Sequence, residues 1–323
     1  MARTTAGRGG RRVAVTGATG DLGALLLPRL EDDPSVEHLL ALDIARPEQV
    51  SGKLDYRRLD LALPDADKAL AAVLREHRID TVYHLTFLWS PIQNSAFAHE
   101  LEVIGSLHVL AAVAAAAVKR LVLPSLTAVY GAQSNNPAFI DERAPLRGCP
   151  PSRFISDKVE VEKEVRAFRA RHPQTQVLVL RFAPIMGPSV DNPVTRLLRA
   201  KVLPTVLGYD PLWQAIHEDD AARALHLALD SPAEGELNVV GEGVLSLSGM
   251  VKMAGGRVVP LPHPLARAAI RLMDRIGRVG VPLTLLDYIR YSWVADGRRA
   301  RETLGFSPRF HTREAVSAAI GGA

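Results

Sequence analysis

Short apolar runs alternate with longer amphipathic stretches along the first half of this chain. The runs are rich in Val, Leu and Ala, and they predict strands at residues 12–16, 38–43, 56–59, 79–85, 119–124 and 176–182. The stretches between them predict helices, among them 64–77, 107–118 and 152–172. Such alternation favours a doubly wound parallel sheet whose right-handed crossovers place helices on both faces. The predicted fold class is therefore α/β.

A glycine-spaced turn follows the first strand and leads into an apolar helix. Gly17 permits the tight turn, Gly20 lets a pyrophosphate approach the backbone, and Gly23 lets the helix pack on the sheet. The N–H groups at the start of a helix are unpaired and would face the phosphates. The remaining residues of this predicted phosphate site are Thr19, Asp21 and Leu22.

The second predicted strand ends in an acidic residue that could bind another part of a dinucleotide, its adenosine ribose. Asp43 lies 20 residues after Gly23, where an acid would hold the adenosine ribose. Arg46 follows closely and could accept a 2′-phosphate, so the sequence leaves both NAD and NADP open. The turn and the acid together predict NAD(P)H as the cofactor.

The chain divides into a predicted basic arm and two interleaved regions. Residues 1–11 read as a disordered arm, and residues 12–185 as a dinucleotide-binding domain to which 210–235 returns. Residues 186–209 and 236–323 read as a smaller, mostly helical region that binds the substrate. The segments predicted as helices or helical pieces there are 192–204, 246–254, 263–278 and 283–293.

The glycine spacing resembles that of the extended short-chain dehydrogenases/reductases, the Rossmann-like family of NAD-dependent nucleotide-sugar epimerases and dehydratases. Other segments match this family in order and carry the resemblance along nearly the whole chain; they are residues 60–61, 84–86, 119–125, 129–131, 181–188 and 217–220. The resemblance implies contacts to the adenine from Asp60 and Leu61. It also implies contacts near the nicotinamide from Leu85, Thr86, Pro184 and Ile185.

Two of the catalytic positions implied by the resemblance, those of the Tyr and of the Ser or Thr, hold residues that cannot transfer a proton. The family places a Tyr and a Lys on one helical face, and here Phe154 and Lys158 occupy those positions. The Ser or Thr of the family falls at Leu126, although its neighbours Ser125 and Thr127 could take over the role. Lys158 is left to bind the nicotinamide ribose and to support an oxyanion.

Composition excludes several classes of function. The net charge of +4 and the absence of interleaved aromatic and basic residues argue against a nucleic-acid partner. The sequence contains no run of 18 or more apolar residues, so no membrane span is predicted. A single cysteine, Cys149, fits a reducing cytosol, so the predicted localisation is cytoplasmic. No metal is predicted, and a homodimer is left open.

These features predict an NAD(P)H-dependent ketoreductase with an atypical active site, similar in theme to the angucyclinone ketoreductases of antibiotic biosynthesis. Its substrate would be a hydroxylated aromatic ketone of a polyketide pathway, and the substrate or a water molecule would supply the proton. Two alternatives stay open. One is a redox-silent NAD(P)-binding regulatory or assembly protein, and the other is a sugar-nucleotide epimerase or dehydratase.

Overall fold

A computed structural model describes residues 10–48, 52–92, 94–150, 152–275 and 283–321. The predicted basic arm lies outside this part of the chain except for its last two residues. Arg11 already belongs to the first strand.

The chain forms thirteen strands within the described residues. They are β1 Arg11–Thr16, β2 Val36–Asp43, β3 Leu54–Arg58, β4 Thr81–His84, β5 Arg120–Leu126, β6 Gln176–Phe182, β7 Ile185–Met186, β8 Val202–Val206, β9 Leu212–Trp213, β10 Ile216–His217, β11 Gly235–Val239, β12 Leu245–Ser246 and β13 Arg257–Leu261. Seven of them form one sheet in the order β3-β2-β1-β4-β5-β6-β11, and every pairing in it is parallel. This confirms the predicted Rossmann-like fold.

Ten α-helices connect or cover these strands. They are α1 Asp21–Asp32, α2 Ala66–Glu76, α3 Ser95–His99, α4 Gly105–Ala115, α5 Arg153–Arg171, α6 Pro193–Arg199, α7 Glu218–Leu227, α8 Leu247–Met253, α9 His263–Arg275 and α10 Thr312–Gly321. A π-helical turn, Glu100–Ile104, joins α3 to α4, and a second one spans Ala300–Leu304. Two 3₁₀ segments span Thr127–Tyr130 and Leu283–Ile289.

Successive residues of each central strand pack into two hydrophobic cores, one on each face of the sheet. In β1, Val13 and Val15 belong to one core, whereas Ala14 belongs to the other. Side chains alternate across a strand, so a strand covered on both faces is apolar at every position. This explains why the continuous apolar runs predicted these strands well.

The structure differs from the sequence predictions at three places in the C-terminal half. The sheet includes β11, so the boundary placed after residue 235 cuts through a strand of the large sheet. The helix predicted at 192–204 ends at Arg199, and the β-branched residues that follow form β8, which pairs with β13. The helix or helical piece predicted at 283–293 is a 3₁₀ segment, and it ends earlier, at Ile289.

One helical stretch is longer than the sequence predicted. Residues 95–115 are continuous through the π-helical turn, and by length and composition alone this stretch could cross a membrane. Within the protein 44% of its most apolar window is buried, and α4 packs against α2 and α5. Buried core helices of globular proteins are often as long and as apolar as this one, so its length and composition are weak evidence for a membrane span.

Candidate functional site

The turn between β1 and α1 combines two glycines that the fold requires with one that it does not. Gly17 has a φ of +66°, and a Cβ there would lie 2.5 Å from the carbonyl carbon of Leu85. A Cβ on Gly23 would lie 2.3 Å from the carbonyl oxygen of Gly17. At Gly20 a Cβ would meet only that same oxygen, at 3.4 Å, which is an ordinary contact. The space above Gly20 is therefore open, and it lies at the uncapped N-terminus of α1.

This open space fits a dinucleotide phosphate. Gly20 is the N-cap residue of α1 and offers no side chain to the free N–H groups of the first turn. Asp21 begins the helix, and its pKa is raised by burial first and then by the charges of Glu218 and Asp191. Leu22 is buried in the core beneath the turn.

Asp43 ties the glycine turn to the end of β2. Its Oδ2 accepts hydrogen bonds from the backbone N and the hydroxyl of Thr19, each at 2.9 Å. Its Oδ1 accepts one from the N–H of Ile44 at 2.7 Å. Arg46 is exposed three residues further on, and its side chain makes no hydrogen bond or ion pair within the described part of the chain.

The other predicted cofactor contacts lie near the same edge of the sheet. Asp60 accepts a hydrogen bond from the N–H of Ala62, and Leu61 is buried beside it. Leu85 follows β4 and donates its N–H to Thr16 at 2.9 Å, and Thr86 is the next residue. The structure places these residues where the sequence predicted, and their roles toward a cofactor stay predictions.

An apolar cavity, here called the aromatic cavity, opens beside the C-terminal ends of β5 and β6. It encloses about 690 Å³ including its mouth. Within the part of the chain that the structure describes, no charged side chain lines it. The lining residues are Trp89, Leu126, Ala128, Phe154, Ile155, Phe182, Pro184, Ile185, Asn192, Pro193, Val194, Leu197, Trp213, Tyr288, Ile289 and Trp293. The cavity thus brings together four predicted site residues: Leu126, Phe154, Pro184 and Ile185.

Two buried hydrogen-bond donors in this lining lack partners. Trp213 and Trp293 stack edge to face at 5.3 Å between ring centroids, and neither indole N–H has an acceptor within the described residues. Tyr288 packs edge to face on Trp293 at 5.2 Å and donates its hydroxyl to the carbonyl oxygen of Ala128 at 2.6 Å. Burial raises the pKa of Tyr288 strongly, so this phenol is a poor acid.

Ser125 belongs to a buried network on the other side of the aromatic cavity wall and does not line the cavity. Its hydroxyl donates to Oε1 of Glu162 at 2.6 Å, and Glu162 forms an ion pair of 2.5 Å with Arg181. Arg181 also donates to the hydroxyl of Tyr130 at 2.7 Å. Thr127 is buried and is not a lining residue either. Neither hydroxyl lines the aromatic cavity, and a displaced catalytic role for them stays a prediction.

Burial and pairing set the protonation of this network. Burial works against the charge of Arg181, but hydrogen bonds to Glu162 and the charge of that residue outweigh it, so the pKa of Arg181 is raised. Burial also raises the pKa of Tyr130 to about 12. The hydrogen bonds of this network pair the polar groups of Ser125, Glu162 and Arg181 with one another, and the network fastens β5 to β6 and α5.

Lys158 is paired with an acid that the sequence analysis missed. Its Nζ lies 2.8 Å from Oε2 of Glu102, and the two side chains are 1% and 4% exposed. Glu102 belongs to the π-helical turn and also accepts a hydrogen bond from the N–H of Leu88 at 3.0 Å. Burial lowers the pKa of Lys158, and the charge of Glu102 partly opposes this.

His84 lies close to this pair but stays neutral. Its Nδ1 is 2.8 Å from the hydroxyl of Thr16, and its Nε2 is 3.0 Å from the hydroxyl of Ser106. Burial, with a smaller effect from the charge of Lys158, lowers the pKa of His84 to about 4. The ring therefore links β1 and β4 to α4 without adding charge.

The profile of the NAD dependent epimerase/dehydratase family matches residues 13–241. The chain belongs to this family, so its cofactor is a nicotinamide dinucleotide. An uncharacterised protein of Mycobacterium tuberculosis is 32% identical over 94% of this chain and 81% of its own length.

Two similar proteins with named activities are reductases. A 3-diazoavenalumate denitrifying reductase from a Streptomyces species is 28% identical over 71% of this chain and 75% of its own. A 4-hydroxy-2-methyl-3-oxo-4-farnesyl-3,4-dihydroquinoline-1-oxide ketoreductase from Stigmatella aurantiaca is 25% identical over 95% of both chains. Among solved structures, MoeE5 in complex with UDP-glucuronic acid and NAD is 26% identical, with a TM-score of 0.70 over 96% of this chain and 98% of that one.

Proposed function

We propose that the protein is an NAD(P)H-dependent ketoreductase that acts on an apolar, aromatic ketone of a specialised biosynthetic pathway. The observation that carries this proposal is the lining of the aromatic cavity, in which the described residues include six aromatic side chains and no charged one. Apolar pockets with few polar groups bind flat, hydrophobic ligands and fix them through those few groups.

The unpaired indole N–H groups of Trp213 and Trp293 indicate what such a ligand carries. A buried donor without an acceptor costs about 1–3 kcal/mol, which a ligand acceptor would recover on binding. Ketone, quinone and phenolic oxygens are acceptors of this kind. A hydroxylated aromatic ketone would therefore meet both the apolar walls and the unpaired donors.

The same lining argues against a nucleotide sugar. A diphosphate bears at least two negative charges, and transfer of such charges into an apolar pocket without cationic partners is costly. MoeE5 binds a UDP-sugar in a similar fold, which keeps epimerase or dehydratase activity as the competing hypothesis. The two reductases among the similar proteins support the proposed reaction type.

The cofactor would lie across the C-terminal edge of the sheet. Gly17, Gly20 and the first turn of α1 would hold its pyrophosphate, and Asp43 would meet the adenosine ribose. When bound in its reduced form it supplies the two-electron reduction of the ketone. Pro184 and Ile185 line the aromatic cavity and would place the substrate beside the nicotinamide.

The test is a substrate panel followed through the nicotinamide absorbance. Hydroxylated polycyclic ketones, a farnesylated quinolone and UDP-glucose are each offered with NADH and with NADPH. We expect turnover with an aromatic ketone and none with the nucleotide sugar. Interconversion of UDP-sugars without turnover of any ketone would establish the competing activity instead. Cofactor binding without either reaction would favour the redox-silent protein.

A further inference from the structure

Two imidazole rings and one carboxylate meet at the end of the large sheet opposite the glycine turn. His38 lies near the start of β2, Asp55 lies near the start of β3, and His77 is the C-cap residue of α2. Asp55 is in register with Leu40, two residues after His38, so the side chains of all three project from the same face of the sheet. Leu40 belongs to the core that α2 covers. The fold therefore brings the end of α2 onto His38 and Asp55.

The distances between these side chains suit a metal ion. Nε2 of His38 is 2.9 Å from Nδ1 of His77, and Oδ2 of Asp55 lies 4.0 Å from Nδ1 of each ring. Ligand atoms around a tetrahedral zinc ion, with bonds of about 2.0–2.2 Å, lie about 3.3–3.5 Å apart. The observed separations bracket this value, so small side-chain rotations bring one atom of each residue onto a single ion.

Without an ion, one buried ring nitrogen in this group is left unsatisfied. His77 is 9% exposed, and its Nε2 has no hydrogen-bond partner within the described residues. A single proton joins the two facing ring nitrogens. If His77 donates it, Nε2 is an unpaired acceptor, and if His77 accepts it, Nε2 is an unpaired donor. An ion on Nδ1 fixes the proton on Nε2, and Oε1 of Glu76, 3.9 Å away, is the acid placed to receive that hydrogen bond.

The two histidines are also held in place and ready to bind a cation. His38 lies within the sheet beside Arg12 of β1, and Nε of Arg12 donates to the carbonyl oxygen of His77 at 2.5 Å. Burial, followed by the charges of Arg12 and His77, lowers the pKa of His38, so the ring is neutral at physiological pH and keeps a lone pair for a metal. The positive charge of Arg12 is opposed by Glu37, 3.5 Å away, and by Asp55.

We propose that His38, Asp55 and His77 form a binding site for a divalent cation of the zinc type, with water as the fourth ligand. Two imidazoles and one carboxylate suit zinc, whereas magnesium and calcium prefer oxygen ligands throughout. The side chain of Asp55 is 58% exposed, which gives the ion a path of entry and the water a place. The bound ion joins the edge strand β3 to β2 and α2. This site is independent of the proposed function.

The sequence predicted no metal, because the three ligands come from three separate elements and follow no short spacing. Only the fold brings β2, β3 and the end of α2 together.

A second group of possible ligands, His99, Asp157 and Glu160, is less suitable. Nδ1 of His99 lies 2.9 Å from Oδ1 of Asp157, and Nε of Arg153 lies 3.8 Å from the same oxygen. The charge of Asp157 also acts on the buried ammonium of Lys158. Two neighbouring cations repel a divalent ion. This second group therefore provides the control for the experiment.

Calorimetric titration of the untagged, metal-free chain with ZnCl₂ tests the site. We expect one zinc ion per chain. Loss of an outer partner of a metal ligand already costs about 10–100-fold in affinity, so His38→Gln and Asp55→Asn should each weaken zinc binding by at least about tenfold. Asp55 is exposed, so Asp55→Asn keeps the fold. His99→Gln removes a ligand of the second group and should bind zinc as tightly as the wild type.

Thermal unfolding gives a second readout on the same proteins. A cation that binds only the folded chain raises Tm. ZnCl₂ should therefore raise the Tm of the wild type and of His99→Gln but not that of Asp55→Asn, and MgCl₂ should raise none of them.

Three results would overturn the proposal. The first is a wild type that binds no zinc at micromolar concentrations. The second is equal zinc affinity in the wild type, His38→Gln and Asp55→Asn. The third is loss of binding in His99→Gln alone, which would assign the ion to the second group. Since no measurement uses a ketone or a cofactor, failure of this site leaves the proposed function untouched, and the reverse holds as well.

Discussion

Ser125→Ala separates a structural hydroxyl from a catalytic one. The hydroxyl donates to a buried carboxylate at 2.6 Å, and Glu162 keeps its ion pair with Arg181 when the hydroxyl is removed. The loss is therefore one hydrogen bond to a charged group, worth about 1.5–3 kcal/mol, with no new unpaired charge. An unfolding entropy of about 2.1 cal/mol/K per residue gives about 0.7 kcal/mol/K for this chain, so Tm should fall by about 2–4 °C.

Calorimetry and steady-state kinetics on the same preparation provide the assay. Ser125→Ala should show the lower Tm and a kcat within about twofold of the wild type, because the hydroxyl does not face the aromatic cavity. Thr127→Val is the matched control, since Thr127 is equally buried and its hydroxyl makes no hydrogen bond within the described residues. It should change neither quantity much. Abolished turnover of Ser125→Ala at an unchanged Tm would refute the structural assignment.

Two further changes test the cofactor site and the buried histidine. Gly20→Val should fold normally, because a Cβ there meets only one backbone oxygen, at 3.4 Å. The variant should nevertheless show no binding of NADH or NADPH in calorimetry. Undiminished binding would contradict the predicted phosphate site. His84 has a folded pKa of about 4 against an ordinary 6.5, so the unfolded state binds more protons and stability should fall as pH drops through that window, by on the order of 3 kcal/mol. Urea unfolding at several pH values should show a shallower decline in His84→Gln, and parallel curves for the two proteins would count against a buried neutral His84.

The sequence predicted the central strands because both faces of the sheet are buried. β6 was predicted with its observed bounds, and the other five strands with shifts of a few residues at their ends. β11 was missed because Glu236 and Asn238 interrupt its apolar pattern. These polar side chains are satisfied by partners far away in sequence: Glu236 pairs with Arg166, and Asn238 accepts from the hydroxyl of Tyr130. Local patterning carries no information about such partners.

In the candidate site, too, the features that depend on neighbouring residues could be predicted, and those that depend on distant partners could not. Spacing alone identified the glycine turn and Asp43, because the backbone geometry of a tight turn depends on local residue types. It could not assign Ser125, whose hydroxyl orientation depends on Glu162, 37 residues away. It also missed Glu102, because only the fold brings the π-helical turn against α5.

Two ion pairs among the described residues have both side chains almost fully buried, and they differ in a way that bears on function. Arg181 and Glu162 satisfy each other and are joined by Tyr130 and Ser125, which is the arrangement expected of a structural pair. Among the described residues, the ammonium of Lys158 has Glu102 as its single close acid, at 2.8 Å, and otherwise faces aromatic rings, so desolvation of this pair is compensated by fewer polar contacts. Apolar side chains of similar volume would serve stability at least as well there. A pair with few polar contacts and a shifted lysine pKa, beside a ring that lines the aromatic cavity, is the kind of arrangement that reactive sites retain.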